Sequence, residues 1–149
     1  MLNEELLLIC HNELNGKKAT GLDGVTKTEY EENLEENIKE LAKELQNMSY
    51  VPSPAKRIYI PKANGKMRGL AIANYEDKIV QLAMKKIIEA IYESKFPNSM
   101  FGYFYFIIFR PHKSCHDALK ALNRNIENGK VNYIVDADIK GYFDHIDHK

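Results

Sequence analysis

Residues 131–146 run V-N-Y-I-V-D-A-D-I-K-G-Y-F-D-H-I. The apolar stretch 131–137 reads as a strand and delivers Asp136 and Asp138 at its C-terminal end. Strand alternation puts these two carboxylates on one face. Carboxylates so placed can hold a divalent cation, and polymerases use two such cations for an in-line displacement. One or two carboxylates make an incomplete cage. Asp, Gly and Asp also crowd around ordinary turns at strand exits, so the pair alone leaves both readings open.

A second group that could do chemistry is cationic. Two strand-like runs, 57–60 and 68–72, flank Ala63-Asn64-Gly65, and Asn-Gly between apolar runs is a strong hairpin signal. A two-residue Asn64-Gly65 turn would put Lys62 and Arg68 on opposite faces and mix apolar with charged residues. A three-residue loop with a left-handed Gly65 pairs Lys62 with Lys66 instead. Ile58, Ile60 and Lys62 then share a face with Lys66, Arg68, Leu70 and Ile72, apolar at the base and cationic at the tip. The pattern selects this second register. Like charges directly opposite each other destabilise a strand pair, so three cations at one tip suit an anion such as a triphosphate. Charges that merely blunt an edge strand against aggregation would give the same pattern.

The elements that must carry these residues can be read outward from them. Residues 3–15 predict a short helix stopped near Gly16, followed by a loop around Gly21, Asp23 and Gly24. Thr26 or Thr28, each with a Glu three residues on, opens an amphipathic helix. Its stripe of Tyr30, Leu34, Ile38, Leu41 and Leu45 carries it to about Met48. Pro52 and Pro54 lead into extended chain. Asn74 with Asp77 caps a helix over 75–94 whose stripe is Ile79, Leu82, Ala83, Ile87 and Ile91, and Ser114 with Asp117 caps another ending near Gly129.

Composition sets the bounds. The 149 residues suffice for one core, and no apolar stretch approaches the roughly 20 residues of a membrane span. The N-terminus lacks the basic flank of a signal peptide. Cys10 and Cys115 are too few and too distant for a disulfide framework or zinc site, which points to a reducing cytoplasm. Cys115 beside His116 reads as a buried thiol next to a surface imidazole rather than a metal pair. A net charge of zero hides a partition. Residues 1–54 carry five basic against eleven acidic residues, residues 55–113 eleven against four, and residues 114–149 five against six. The basic middle could meet an anion, and a chance partition of surface lysines would give the same pattern.

Taken together these segments resemble the group II intron reverse transcriptases, also called intron maturases. Gly21-Leu22-Asp23-Gly24-Val25-Thr26 is similar to the motif that precedes the fingers in that family. Tyr50 to Pro54, Ile58-Tyr59-Ile60-Pro61-Lys62, Gly65-Lys66 and Arg68 resemble its first fingers motif, and Asp77-Lys78-Ile79-Val80-Gln81 its second. Phe109-Arg110-Pro111 with Ser114 to Leu119 resembles the third, and Asp136 to Asp144 resembles palm motif A.

The resemblance implies an α+β fold: reverse-transcriptase fingers built of amphipathic helices and a β-hairpin, then the first palm strand. It implies an N-terminal helical extension over 1–54, fingers over 55–130 and the start of the palm over 131–149. It implies RNA-directed DNA polymerase activity with Mg²⁺. The partners implied are intron or template RNA, a nucleotide triphosphate and an RNA–DNA hybrid. Lys62 and Arg68, with Lys66, would hold the triphosphate. Asp138 would be the catalytic metal ligand, helped by the Ile139 carbonyl and less directly by Asp136. Phe143 would be the gate against a ribose 2′-OH. The 149-residue polypeptide alone is expected not to polymerise. Gly69, Ala71 and Ala73 depart from the family pattern, and residues 103–108 (Tyr-Phe-Tyr-Phe-Ile-Ile) read as an insertion that forms a core strand or a self-association edge of a homodimer. Rival readings are an RNA-binding or self-associating module without catalysis, and a retron, diversity-generating or defence-type reverse transcriptase.

Overall fold

In a computed structural model of the chain, the structure describes residues 2–63, 65–96, 113–135, 137, 139 and 145–147. The chain divides into two compact units, Met1–Phe96 and Pro97–Lys149.

The first unit is a helical layer with a hairpin. Helix α1 (Glu4–Glu13) starts at Asn3, whose side chain accepts the Leu6 N–H. It leaves helical geometry at Leu14, two residues before Gly16. The Lys27 ammonium donates to the His11 and Leu14 carbonyls at 3.0 and 3.1 Å, so a lysine closes this helix. Helix α2 (Lys27–Glu31) opens with a capping box between Thr26 and Glu29. The single helix expected from here to Met48 is in fact two. Asn33 leaves helical geometry, and α3 (Leu34–Gln46) begins after it. The Tyr30 carbonyl left over at the break is taken by the Asn37 side-chain amide at 3.1 Å, a local bond that competes with the helical ladder.

Helix α3 ends in a tight cap. Ser49 N–H donates to the Glu44 carbonyl at 2.9 Å and Met48 N–H to the Leu45 carbonyl at 3.4 Å, with Met48 left-handed at φ 57°. Strands β1 (Lys56–Pro61) and β2 (Met67–Ile72) then form an antiparallel two-stranded sheet. Helix α4 (Tyr75–Tyr92) follows and ends in a 3-10 turn, Glu93–Lys95.

The core joins Leu7 and Cys10 of α1, Tyr30 of α2, Ile38, Leu41 and Ala42 of α3, and Tyr75, Ile79, Val80 and Ala83 of α4. Helix α1 packs on both α3 and α4. The expected α4 stripe therefore holds for Ile79, Leu82 and Ala83 but fades beyond them: Ile87 is only partly buried, and Ile91 is 50% exposed. The 18 residues of α4 outrun the ten of α1, so its last turns pass beyond the helix that covers its first ones.

In the second unit, α5 (Cys115–Asn128) begins with the expected Ser114–Asp117 capping box and ends before Gly129. Cys115 is exposed, not buried as the sequence suggests, because the first turn of α5 has no covering element among the described residues. The strand expected over 131–137 is not formed at 131–135. A strand needs a ladder partner for its backbone groups, and none faces this run among the described residues, where Tyr133 and Val135 are 89% and 87% exposed. Residues 103–108 lie outside the described residues. The mixture of helices and an antiparallel hairpin is of the α+β type.

Candidate functional site: a cationic hairpin on a latched base

The hairpin adopts the register in which Ile58 faces Leu70, Ile60 faces Arg68 and Pro61 faces Met67. Beyond the strands, Lys62 N–H donates to the Lys66 carbonyl at 2.7 Å, and Gly65 N–H donates back to the Lys62 carbonyl at 3.0 Å. Gly65 has φ +77°, a conformation that costs glycine little and other residues more. The three-residue loop is thus the one that forms. Opposed residues of an antiparallel pair share a face. Lys62, Lys66 and Arg68 therefore sit on one face at the tip, above half-buried Ile58, Leu70 and Ile72. Lys62 and Arg68 are exposed and join no ion pair among the described residues. No carboxylate occurs between residues 55 and 75, against five cations.

The base of the hairpin is held by α4. Asp77 is 5% exposed and accepts hydrogen bonds from the Tyr50 hydroxyl and, at 3.3 Å, from the Ser53 N–H. Burial, together with this carboxylate, holds the Tyr50 phenol well above its ordinary range. Asp77 thereby ties the segment entering β1 to the helix that follows β2. The capping box expected between Asn74 and Asp77 is absent. Asn74 stands at the cap position without a cap bond and accepts the Leu22 N–H at 2.8 Å. Lys78 donates to the Ala19 carbonyl at 2.7 Å. The turn that opens α4 is therefore a junction for the hairpin base and the loop over 19–23. The spacing of Asn74 and Asp77 suits local caps, and nothing in it signals partners so distant in the chain.

A cleft beside this loop is lined in part by Lys18, Lys27 and Lys78. Lys27 and Lys78 already donate to backbone carbonyls there, so they act as pins of the loop. Another residue the sequence did not point out is His11, buried in the core. Its Nε2 lies 3.2 Å from the Glu31 carboxylate and its Nδ1 3.1 Å from the Tyr75 hydroxyl. The Nε2–H tautomer satisfies both, donating to Glu31 and accepting from Tyr75. Burial raises the Tyr75 phenol to about 12.

Of the residues expected at a metal, Ile139 is 70% exposed, and Asp136, Asp138 and the gate Phe143 lie outside the described residues. Among the described residues no three acidic, histidine or cysteine side chains converge to hold a metal. No helix among them is long and apolar enough to cross a membrane.

Residues 60–149 match the family model described as reverse transcriptase (RNA-dependent DNA polymerase). The group II intron-encoded protein LtrA of Lactococcus lactis is 37% identical over 149 residues, which are 99% of this chain and 24% of that protein. Protein YkfC of Escherichia coli is 36% identical over 137 residues, 90% of this chain and 34% of that protein. A COX1/OXI3 intron 1 protein of Saccharomyces cerevisiae is 30% identical over 148 residues, 99% of this chain and 17% of that protein. The chain thus spans about a third of the length of these relatives or less, and over nearly all of its own length it is similar to the group II intron-encoded protein LtrA. With a family model covering more than half of its residues, the chain belongs to the reverse transcriptase family.

Proposed function

We propose that this chain forms the fingers and the opening of the palm of an RNA-directed DNA polymerase of the group II intron type. Residues 1–54 are the helical extension, 55–130 the fingers and 131–149 the beginning of the palm. The observation that carries the reading is the hairpin register, which brings Lys62, Lys66 and Arg68 to one face of a tip within a stretch, residues 55–75, that contains no carboxylate. A guanidinium forks onto phosphate oxygens and an ammonium acts as a point charge, so the tip suits the triphosphate of an incoming nucleotide. The same basic region serves template or intron RNA and the RNA–DNA hybrid.

Asp138, Asp136 and the Ile139 carbonyl offer the hard oxygen donors that suit Mg²⁺. When bound there, the ion would supply electrostatic stabilisation of the oxygens exchanged at phosphorus. Phe143, five residues beyond Asp138, excludes a ribose 2′-OH. What the described residues contribute is positioning: Asp77, through Tyr50 and Ser53, sets the base from which the cationic tip projects.

The test is binding of a nucleoside triphosphate and of structured RNA at low and moderate salt. The Lys62→Ala/Arg68→Ala chain should bind a triphosphate roughly three- to tenfold more weakly, the modest effect of exposed charges. Its RNA affinity should depend less steeply on salt, because fewer counterions are released. Binding of both ligands that neither salt nor the double substitution changes would refute the reading.

A further inference from the structure

The hairpin has a second face that the triphosphate does not use. The observed register places Arg57, Tyr59 and Pro61 there, opposite Ala71, Gly69 and Met67. All six residues are exposed, Tyr59 at 60% and Met67 at 57%. Tyr59 lies across the strand pair on Gly69: its Cε1 and Cδ1 are 3.5 and 3.9 Å from where a Cβ would stand, and the Arg57 Nε is 3.8 Å from the same point. The glycine thus gives the ring bare backbone to lean on, beside a guanidinium, while most of the ring remains in water.

We infer that this face is a stacking site for an unpaired base of single-stranded RNA. Tyr59 supplies the aromatic surface and Arg57 the contact to the adjoining phosphate. Every base has a π-face, so an exposed ring beside a cation takes single strands with little regard to sequence. The charge agrees, since Arg57 is the charged residue on this face and no carboxylate lies between residues 55 and 75. The size agrees too. A ribbon of two strands about 4.8 Å apart offers room for one or two bases and far less than the roughly 800 Å² per partner of a stable protein interface. The inference rests on the nucleic-acid reading above and extends it to a surface which that reading leaves unused.

The chain contains no tryptophan, so Tyr59→Trp introduces a unique reporter at the site. The 149-residue chain carrying it would be titrated with a single-stranded RNA, a blunt RNA duplex of the same length and inorganic polyphosphate, with binding followed separately by competition. Single-stranded RNA should quench the tryptophan, whereas duplex and polyphosphate should bind without quenching. Tyr59→Ala should weaken single-strand binding roughly five- to a hundredfold, with polyphosphate binding unchanged and Tyr59→Phe close to the parent chain. Single-strand binding that survives Tyr59→Ala beside an unquenched tryptophan would overturn this inference and leave the nucleic-acid reading standing. Failure of every RNA to bind would overturn both. Tryptophan burial that grows with chain concentration in the absence of RNA would mean that a second copy covers the face, and would also overturn it.

Discussion

The Oδ1 of Asn74 accepts the backbone N–H of Leu22 at 2.8 Å, joining residues 52 apart in the chain. The contact leaves no room beside it. A Cβ on Gly21 would stand 2.6 Å from the Asn74 Cα and 2.7 Å from its backbone nitrogen, atoms that cannot swing aside. Gly21 is therefore required for close approach. Gly21→Ala should destabilise the chain by about 1–3 kcal/mol through overpacking. Asn74→Ala should cost about 1–3 kcal/mol by stranding the Leu22 donor. Because the two residues touch, the double variant should lose less than the sum of the single losses. Urea unfolding of the four chains measures all three quantities.

Met48 is the one non-glycine residue with positive φ among the described residues, and its side chain is 92% exposed. It sits where helix ends favour glycine, and its side chain has little packing to lose. Met48→Gly should therefore raise stability by up to about 1 kcal/mol, the left-handed strain outweighing the entropy of an added glycine. A lowered urea midpoint would show that the Met48 side chain contributes contacts of its own.

His11 makes stability depend on pH. Burial and the Lys27 ammonium hold its imidazole below the ordinary 6.5, while Glu31 pulls the other way. The unfolded chain then binds the proton more readily than the folded one. The His11 contribution is fully present above about pH 6.5 and is lost as pH falls towards the lowered folded value. Glu76 acts in the opposite sense, because burial and then Glu44, Asp77, Glu40 and Asp23 raise its carboxyl. The difference between the parent chain and His11→Gln therefore carries the test. The parent should lose more stability than the variant between pH 7 and pH 5, and parallel profiles would contradict the buried neutral imidazole.

Polymerisation should need more than these 149 residues. On the proposed reading Asp136 and Asp138 would be too few carboxylates for a two-metal displacement, and a misaligned primer end alone can cost about a hundredfold. Primer extension with Mg²⁺ and an RNA template should show nothing above a control carrying Asp138→Asn. Extension that this substitution abolishes would mean that the chain, or a second copy, completes the site.

Local pairings were legible from the amino-acid order alone. The Thr26–Glu29 and Ser114–Asp117 boxes each close within one helical turn, and both are present. The hairpin register follows from alternation and the Gly65 turn, both properties of a few neighbouring residues. Alternation and the Gly65 turn alone bring the cations Lys62, Lys66 and Arg68 to one tip.

Tertiary structure decided the rest, wherever a group had a choice of partner. Asn74 and Asp77 carry the same spacing as the two boxes, yet they bond to Leu22, Tyr50 and Ser53, because folding brings those donors to the start of α4. His11 carries no sequence signal, and its burial exists only once Tyr75 and Glu31 meet it. Cys10 is buried and Cys115 exposed, a difference set by what packs over each helix rather than by either residue's type. The run 131–135 has the composition of a strand and remains without one. Helical hydrogen bonds close within their own segment, whereas a strand's backbone groups are satisfied only by a second strand that the sequence of the first cannot supply.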